Sequence, residues 1–519
     1  MTQKTLFAVL GFVLISSLIF FASDAQAKPK TDTPKSPGRI KIGETPPLKA
    51  VRIEPASSYV PSSRERSYVG LGADVFSASQ SPGLQIGITT HDIQHYGRMN
   101  RQVDWRGGQH VHFAWTVQSD FYAGGDAGTA YEVWDPFYAH LWFEGIDGGI
   151  DIHARLGVGH NYSEFAGLDV ATDNRVVIVN QHNTEVGTMT TLWPDFSSAA
   201  GFFSPYQSRI PDSVAEYGLP ENTRFIWPSM EWQVIGDDTV AHVFAHEQTI
   251  SGETGSKILR YFRKIGDPDN NVWDYPPLSV DTTPTISGTV TASRYSQKMA
   301  LVWLANPGEI PGDPESYDRG LPYLNDVYYM ISPDMGQSWM PKINVTQWDA
   351  TQPGWAAQSD LSALISTDDN LHIIWNARET EPDPFGSLGY FPHFYGSRLF
   401  HWDEFNSIIR TIKDANWDPP FTEDWCHGGE WNEMSIVKMQ ISECENKFYA
   451  LFVQYNDIYG GVDDDCHERA FSNNERSGTA NGELYISISD NDGLNWDMAW
   501  NLTNSYTAHC DSAPALGGT

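Results

Sequence analysis

The stretch "ISPDMGQSWMPKINVT", Ile331 to Thr346, returns near the end of the chain as "ISDNDGLNWDMAWNLT", Ile488 to Thr503. Ser332, Gly336, Trp339, Asn344 and Thr346 match Ser489, Gly493, Trp496, Asn501 and Thr503 at one constant offset. A pattern kept in register over that length marks an internal repeat. Each copy begins as a strand ends. Asp334 and Ser332 are suited to accept backbone N–H groups inside a turn, with Asn491 and Ser489 as their counterparts. Gly336 and Gly493 allow a positive φ, and Trp339 and Trp496 can bury a large ring against the strands.

Outward from these turns the same organisation recurs six times. The second strand of each unit reads "HVHFAW" (110–115), "RVVIVN" (175–180), "TVAHVF" (239–244), "KMALVW" (298–303), "NLHIIW" (370–375) and "KFYALF" (447–452). Anchors for the six are His112, Val177, His242, Ala300, His372 and Tyr449. Before most of them stand the Gly, Asp and Asn residues that tight hairpins need. Third strands are expected at "HLWFEG", "KILRYFRK", "DVYYMIS", "SRLFHW" and "GELYISIS". Helical periodicity is not sustained anywhere. Short strands in regular units over a long chain predict an all-β, six-bladed β-propeller spanning 67–519. "SYVGLGADVFSA" (67–78) is then expected to pair with the last blade and close the ring, because an open ring would expose strand edges.

Ser-x-Asp-x-Gly-x-x-Trp at 332–339 resembles the Asp-box, the bacterial neuraminidase repeat of sialidase-like β-propellers, and 489–496 is a near copy with Asn491. The resemblance covers the propeller in architecture and about sixteen residues in motif. It implies that the motif belongs to scaffold hairpins away from a catalytic mouth. It also implies what a sialidase would carry: an arginine triad, a Tyr–Glu nucleophile pair and an Asp acid/base. The family's first arginine sits in an aromatic-Arg-Ile-Pro motif, whose nearest match here is "SRIP", with Arg209 and with Ser208 in the aromatic position.

Inner strands of a propeller line its channel, so acids near their starts are expected at one mouth. Glu164, Asp360 and Glu433 fit that position. A pair of them would serve a glycosidase as acid and base or nucleophile; capping of strand ends is the competing reading. Asp267, Asp269 and Asn271 in "GDPDNN" form a partial calcium-loop pattern, with Val272 where the glycine belongs. Calcium is therefore the one cofactor under consideration, against a plain turn.

The first 27 residues, "MTQKTLFAVLGFVLISSLIFFASDAQA", have the charged, apolar and small-residue order of a secretory signal peptide. An uncleaved anchor is the competing reading. Residues 28–66 follow with seven prolines and nine Lys or Arg against four acids, an extended linker. The whole chain carries a formal net charge of −33, so nucleic acid and anionic membranes are excluded as partners and a glycan or an extracellular protein is expected. Four cysteines, Cys426, Cys444, Cys466 and Cys510, lie in the last hundred residues. In an exported protein they predict two disulfides with three possible connectivities, Cys426–Cys444 and Cys466–Cys510 being favoured because the first pair is close in sequence, over a zinc site built from three Cys/His doublets.

The expected function is a secreted, non-catalytic propeller that binds glycan or protein. The alternative is a glycoside hydrolase acting at the central mouth.

Overall fold

The computed structural model describes residues 86, 87 and 89 and, with interruptions, residues 101–503. Outside the described residues lie 1–85, 88, 90–100, 106–109, 118–126, 144–149, 153–162, 172–173, 185–186, 204–207, 211–222, 250–257, 271, 275, 284, 307–323, 350–351, 382–396, 416–433, 456–481 and 504–519. The chain divides into two compact units, Met1–Val69 and Gly70–Thr519. The second contains everything described below.

Among the described residues all regular structure is β, in six antiparallel sheets. The first holds β1 (Val103–Asp104), β2 (Val111–Val117), β3 (Gly128–Asp135) and β4 (His140–Leu141), with β5 (Ile150–Asp151) also on β3. The second is β6 (Ser163–Val170), β7 (Val176–Thr184), β8 (Gly187–Pro194) and β9 (Ser208–Arg209). In the third, β10 (Thr223–Ile235), β11 (Asp238–Thr249), β12 (Ile258–Ile265) and β13 (Val272–Trp273) follow in order, and β14 (Leu278–Thr282) joins β12. Next come β15 (Gly288–Ala292), β16 (Met299–Ala305), β17 (Asp326–Ser332) and β18 (Ile343–Asn344). The fifth is β19 (Gly354–Ile365), β20 (Leu371–Thr380), β21 (Ser397–Asp403) and β22 (Arg410–Ala415). The sixth is β23 (Ile436–Cys444), β24 (Lys447–Tyr455), β25 (Gly482–Ser489) and β26 (Trp500–Asn501).

The first strands of successive sheets lie against one another, so the sheets stand as the blades of a six-bladed propeller with β1, β6, β10, β15, β19 and β23 innermost. Five apolar clusters fill the junctions between consecutive blades. A blade flanked on both sides must be apolar on both faces, which is why β16, "MALVWLA", is buried at every residue. All six second strands lie where the sequence predicts them. The third strand of blade 1 does not: it is β3, "GTAYEVWD", while "HLWFEG" supplies only the two-residue β4. Six of the eight β3 residues are buried, as a mid-blade strand requires, whereas His140 is exposed. The segment 67–78, expected to close the ring, lies outside the described residues.

The repeated turn is scaffold. Asp334 Oδ1 accepts the N–H groups of Gln337 (3.1 Å) and Ser338 (2.7 Å), and Ser332 Oγ accepts that of Gly336 (2.8 Å). In the second copy Asn491 Oδ1 accepts from Asn495 N (2.9 Å) and Ser489 Oγ from Gly493 N (3.0 Å). Gly336 (φ +83°) and Gly493 (φ +76°) occupy left-handed backbone where a Cβ would collide with Tyr261 and with His401 respectively. Trp339 packs edge-on against Tyr261 and Trp496 against His401, each in the third strand of the preceding blade. The trailing Asn-x-Thr belongs to the same device. Thr346 N donates to Asn344 Oδ1, and Thr346 Oγ1 accepts from Val327 N; Thr503 and Asn501 repeat this with Leu484 N.

Blade 2 performs the same docking without the motif. Buried Asp195 accepts from Gly201 N (3.0 Å) and Phe202 N (2.9 Å), and Phe203 meets Tyr131 of blade 1 edge-on at 5.1 Å. The docked rings Tyr131, Tyr261 and His401 each share a hydrogen bond with a buried second-strand histidine, His112 (2.7 Å), His242 (2.7 Å) and His372 (3.0 Å). These three histidines recur at a common interval of 130 residues. The ring is thus built from three pairs of blades.

Candidate functional site

The channel wall is held by two tiers of bonds between blades. In the upper tier four inner strands carry a β-bulge, at 164–167, 226–229, 357–361 and 437–440. Phe165, Trp227 and Lys438 have positive φ there, a conformation non-glycine residues adopt only where the surroundings hold it. Polar side chains of the preceding blade satisfy the strand edge at or beside the bulges. Thr116 Oγ1 accepts from Phe165 N, Gln181 Oε1 from Trp227 N, Ser229 Oγ from Val290 N and Asp360 Oδ2 from Lys438 N (2.8 Å). Ser287 Oγ donates to Ser359 O. Five successive blade junctions are closed in this way.

The lower tier lies toward the turn ends of the inner strands. Asp104, Asp169 and Glu231 occupy one register position in blades 1, 2 and 3, opposite the anchors His112, Val177 and His242. In blades 4 to 6 the position holds Thr291, Leu364 and Ser442. Asp104 accepts from Val170 N (3.2 Å) and Asp169 from Trp232 N (2.5 Å), each reaching to the next blade. Arg101, just before β1, inserts between the acids, 3.2 Å from Asp169 and 2.8 Å from Glu231. Arg294, in the first turn of blade 4, meets Asp104 at 3.4 Å. Burial works against the charge on Arg101, but Glu231, Asp169 and Asp104 outweigh it and hold its pKa above the ordinary arginine value. Three buried acids and two arginines thus gather at one end of the channel.

Of the acids expected from sequence at the mouth, only Asp360 has a described side chain; that of Glu164 and all of Glu433 lie outside the described residues. Asp360 is not an open mouth carboxylate. It is buried, and burial raises its pKa even though Lys438 N donates to it. Its work is to hold the blade 6 bulge. We expect Asp360→Asn to match or slightly exceed the wild-type melting temperature, since an amide oxygen still accepts that N–H without a buried charge. Asp360→Ala is expected to cost about 1–3 kcal/mol, the value of a buried donor left unmade. A large loss in the Asn variant, measured by thermal melting, would show that the charge itself is required.

Arg209 lies in β9, the outermost strand of blade 2, at the opposite edge of that sheet from β6. Asp267 and Asp269 do not wait for calcium. Arg175 takes both, at 2.6 Å each, and Lys264 Nζ donates to Asp267 O. Partial burial opposes ionisation of Asp267, yet Arg175, the Asp269 N–H and Lys264 hold its pKa below the usual value. A cation there would have to displace an arginine whose own charge already neutralises the pair; Asn271 lies outside the described residues. No cluster of three or more His, Cys, Asp or Glu arranged to hold a metal occurs among the described residues. Cys444 ends β23 as an exposed free thiol, without the expected bond to Cys426, and the other three cysteines lie outside the described residues.

Sequence reading passed over Arg101, Asp104, Asp169 and Glu231. Asp104 and Asp169 each stand eight residues before a second-strand anchor, a recurrence that aligning the six units would expose.

One rim of the propeller carries exposed aromatics. The β3–β4 turn displays Phe137 (82% exposed) and Tyr138 (73%), followed by Trp142; the segment after β8 displays Phe196 (77%) and Phe202.

No helix among the described residues is long and apolar enough to cross a membrane. No family model and no curated protein matches the chain. Among solved structures, the polysaccharide lyase PL25 ulvan lyase bound to -[GlcA(1-4)Rha3S]- is similar at a TM-score of 0.45 and 8% identity, over 80% of this chain and 85% of its own. The sialidase of Trypanosoma rangeli gives 0.37 and 12%, over 70% and 54%. The catalytic domain of the Coprinopsis cinerea GH62 alpha-L-arabinofuranosidase gives 0.33 and 12%, over 64% and 96%. At such scores the likeness is one of fold, and the function has to come from this chain's own residues.

Proposed function

We propose that the protein is an exported, sialidase-like propeller of the Asp-box type that binds glycan or extracellular protein without transforming it. The observation that carries this reading is the commitment of the described inner-strand carboxylates. Asp360, Asp104 and Asp169 accept backbone N–H groups of the next blade, and Asp169 and Glu231 neutralise Arg101. A general acid or nucleophile has to be presented to substrate rather than held inside the frame. The signal-like N-terminus and the acidic composition support an extracytoplasmic, soluble binder.

A second reading is favoured by one feature, the approach of Asp169 and Glu231 to a single guanidinium beside the channel. In that reading the protein is a glycoside hydrolase, a divergent exo-sialidase or another glycosidase. The deciding experiment offers the purified chain a panel of fluorogenic glycosides, sialosides included, with and without calcium, beside a glycan array. Retention on the array with no hydrolysis supports the binding reading. Turnover that Glu231→Gln abolishes would establish the hydrolase. Turnover lost in Glu164→Gln or Glu433→Gln instead would assign the chemistry to those acids.

A further inference from the structure

The turns of blades 1 and 2 share a construction that the channel does not use. At the end of β3, Asp135 Oδ1 accepts the N–H groups of Phe137 (2.8 Å) and Tyr138 (3.1 Å), so two successive aromatic residues are fixed on a turn that faces solvent. Their rings meet edge-on at 4.9 Å. At the end of β8, Asp195 holds Gly201 N and Phe202 N in the same manner. The two turns adjoin. Phe203 rests on Tyr131, and at Gly201 a side chain would strike Phe143 and Ile150 of blade 1. Trp142 precedes Phe143 and Phe202 precedes Phe203, so both exposed rings flank this contact.

Two properties restrict what such a rim can hold. Its exposed large side chains, Phe137, Tyr138, Trp142, Phe196 and Phe202, are all aromatic, whereas blades 3 to 6 expose mostly Ile, Met, Leu and Val at their rims. Aromatic faces suit the C–H faces of sugar rings, and bilayers draw equally on aliphatic side chains. Among the described residues of the two turns, 135–143 and 195–203, the acids Asp135 and Asp195 are buried and no Lys or Arg occurs, so these turns present neither an open carboxylate nor a lysine or arginine to a charged ligand. The net charge of −33 also repels anionic polymers. Because the two carboxylates order the turns beforehand, little conformational entropy is left to lose on binding.

We infer that the joined turns of blades 1 and 2 form a binding site for an uncharged polysaccharide, with Phe137, Tyr138, Phe196 and Phe202 as its stacking surface. The inference rests on the glycan-binding reading above and assigns that binding to the outer rim, away from the channel.

The test is retention of the full chain on microcrystalline cellulose and on neutral arabinoxylan, with polygalacturonate, phosphatidylcholine vesicles and analytical ultracentrifugation in parallel. Phe137→Ala/Tyr138→Ala and Phe196→Ala/Phe202→Ala are compared with wild type. These rings are exposed, so both double variants should melt with wild type. Expected is binding to a neutral polysaccharide, reduced about tenfold or more in each variant, with no effect of polygalacturonate. Wild-type binding that both variants retain would overturn the rim site and leave the glycan-binding function standing. Wild type that binds no polysaccharide would overturn both. Vesicle binding or self-association lost in the variants would assign the rim to a lipid surface or a second copy and overturn the inference.

Discussion

Acidification from pH 7 to pH 4.5 is expected to unfold the propeller. His112, His242, His372 and His401 are buried in the blade junctions, and burial pushes their pKa values down to about 4, 3, 4 and 3. His110 adds to the fall at His112, Arg263 at His242 and His372 at His401, while Asp104 and Asp403 oppose it. Each of these histidines is neutral when folded and titrates near its ordinary value when unfolded. Below about pH 6.5 the unfolded chain therefore binds more protons, so stability falls as pH falls toward the folded values. One such group is worth about 1.4 kcal/mol per pH unit, and four together about 5 kcal/mol per unit.

Asp195 and Asp360 act in the opposite sense. Burial raises their pKa values, so the folded state takes up protons near the acid end and part of the loss is offset. Asp334 and Asp403, whose hydrogen bonds outweigh burial and lower their pKa values, weaken the fold only below about pH 4. The window between pH 6.5 and 4.5 thus belongs to the histidines. Urea unfolding at half-unit pH steps measures the slope. A flat profile through that window would refute the assignment, and His112→Phe should reduce the slope by about one proton.

Replacing Arg101 with alanine should destabilise the fold by about 3–5 kcal/mol at pH 7, the range seen when one partner of a buried ion pair is removed. Asp169 has no exposed side-chain surface and Glu231 has 5%, so neither can recover its charge stabilisation from water. Arg101→Lys should fall between, because a single ammonium lacks the planar fork that spans two carboxylates. Adding Glu231→Gln to the alanine variant should restore part of the loss, and that recovery separates charge compensation from simple packing. A loss below about 1 kcal/mol, the scale of an exposed pair, would mean that channel water already serves the acids.

The repeat at 331–346 and 488–503 was legible because the bonds that set its residue spacing are local. Ser332, Asp334 and Gly336 bond within five residues of one another, so spacing alone announces the turn. The second strands were equally plain, since burial on both faces writes an unbroken apolar run. Blade 2's counterpart was not legible. Asp195, Gly201 and Phe203 reach the same docking through a longer segment that keeps no fixed spacing to the other two copies.

From sequence alone came the six blades, the turn chemistry and an acidic composition, whose field repels anionic partners. The tertiary structure decided which charges meet. Arg101 lies 68 residues from Asp169, and Arg294 lies 190 residues from Asp104. Strand periodicity records only which face of its own blade a residue occupies. Neighbours across the channel follow from closing blades into a ring, and that geometry turned Asp360 into a strut and gave Asp267 and Asp269 to Arg175.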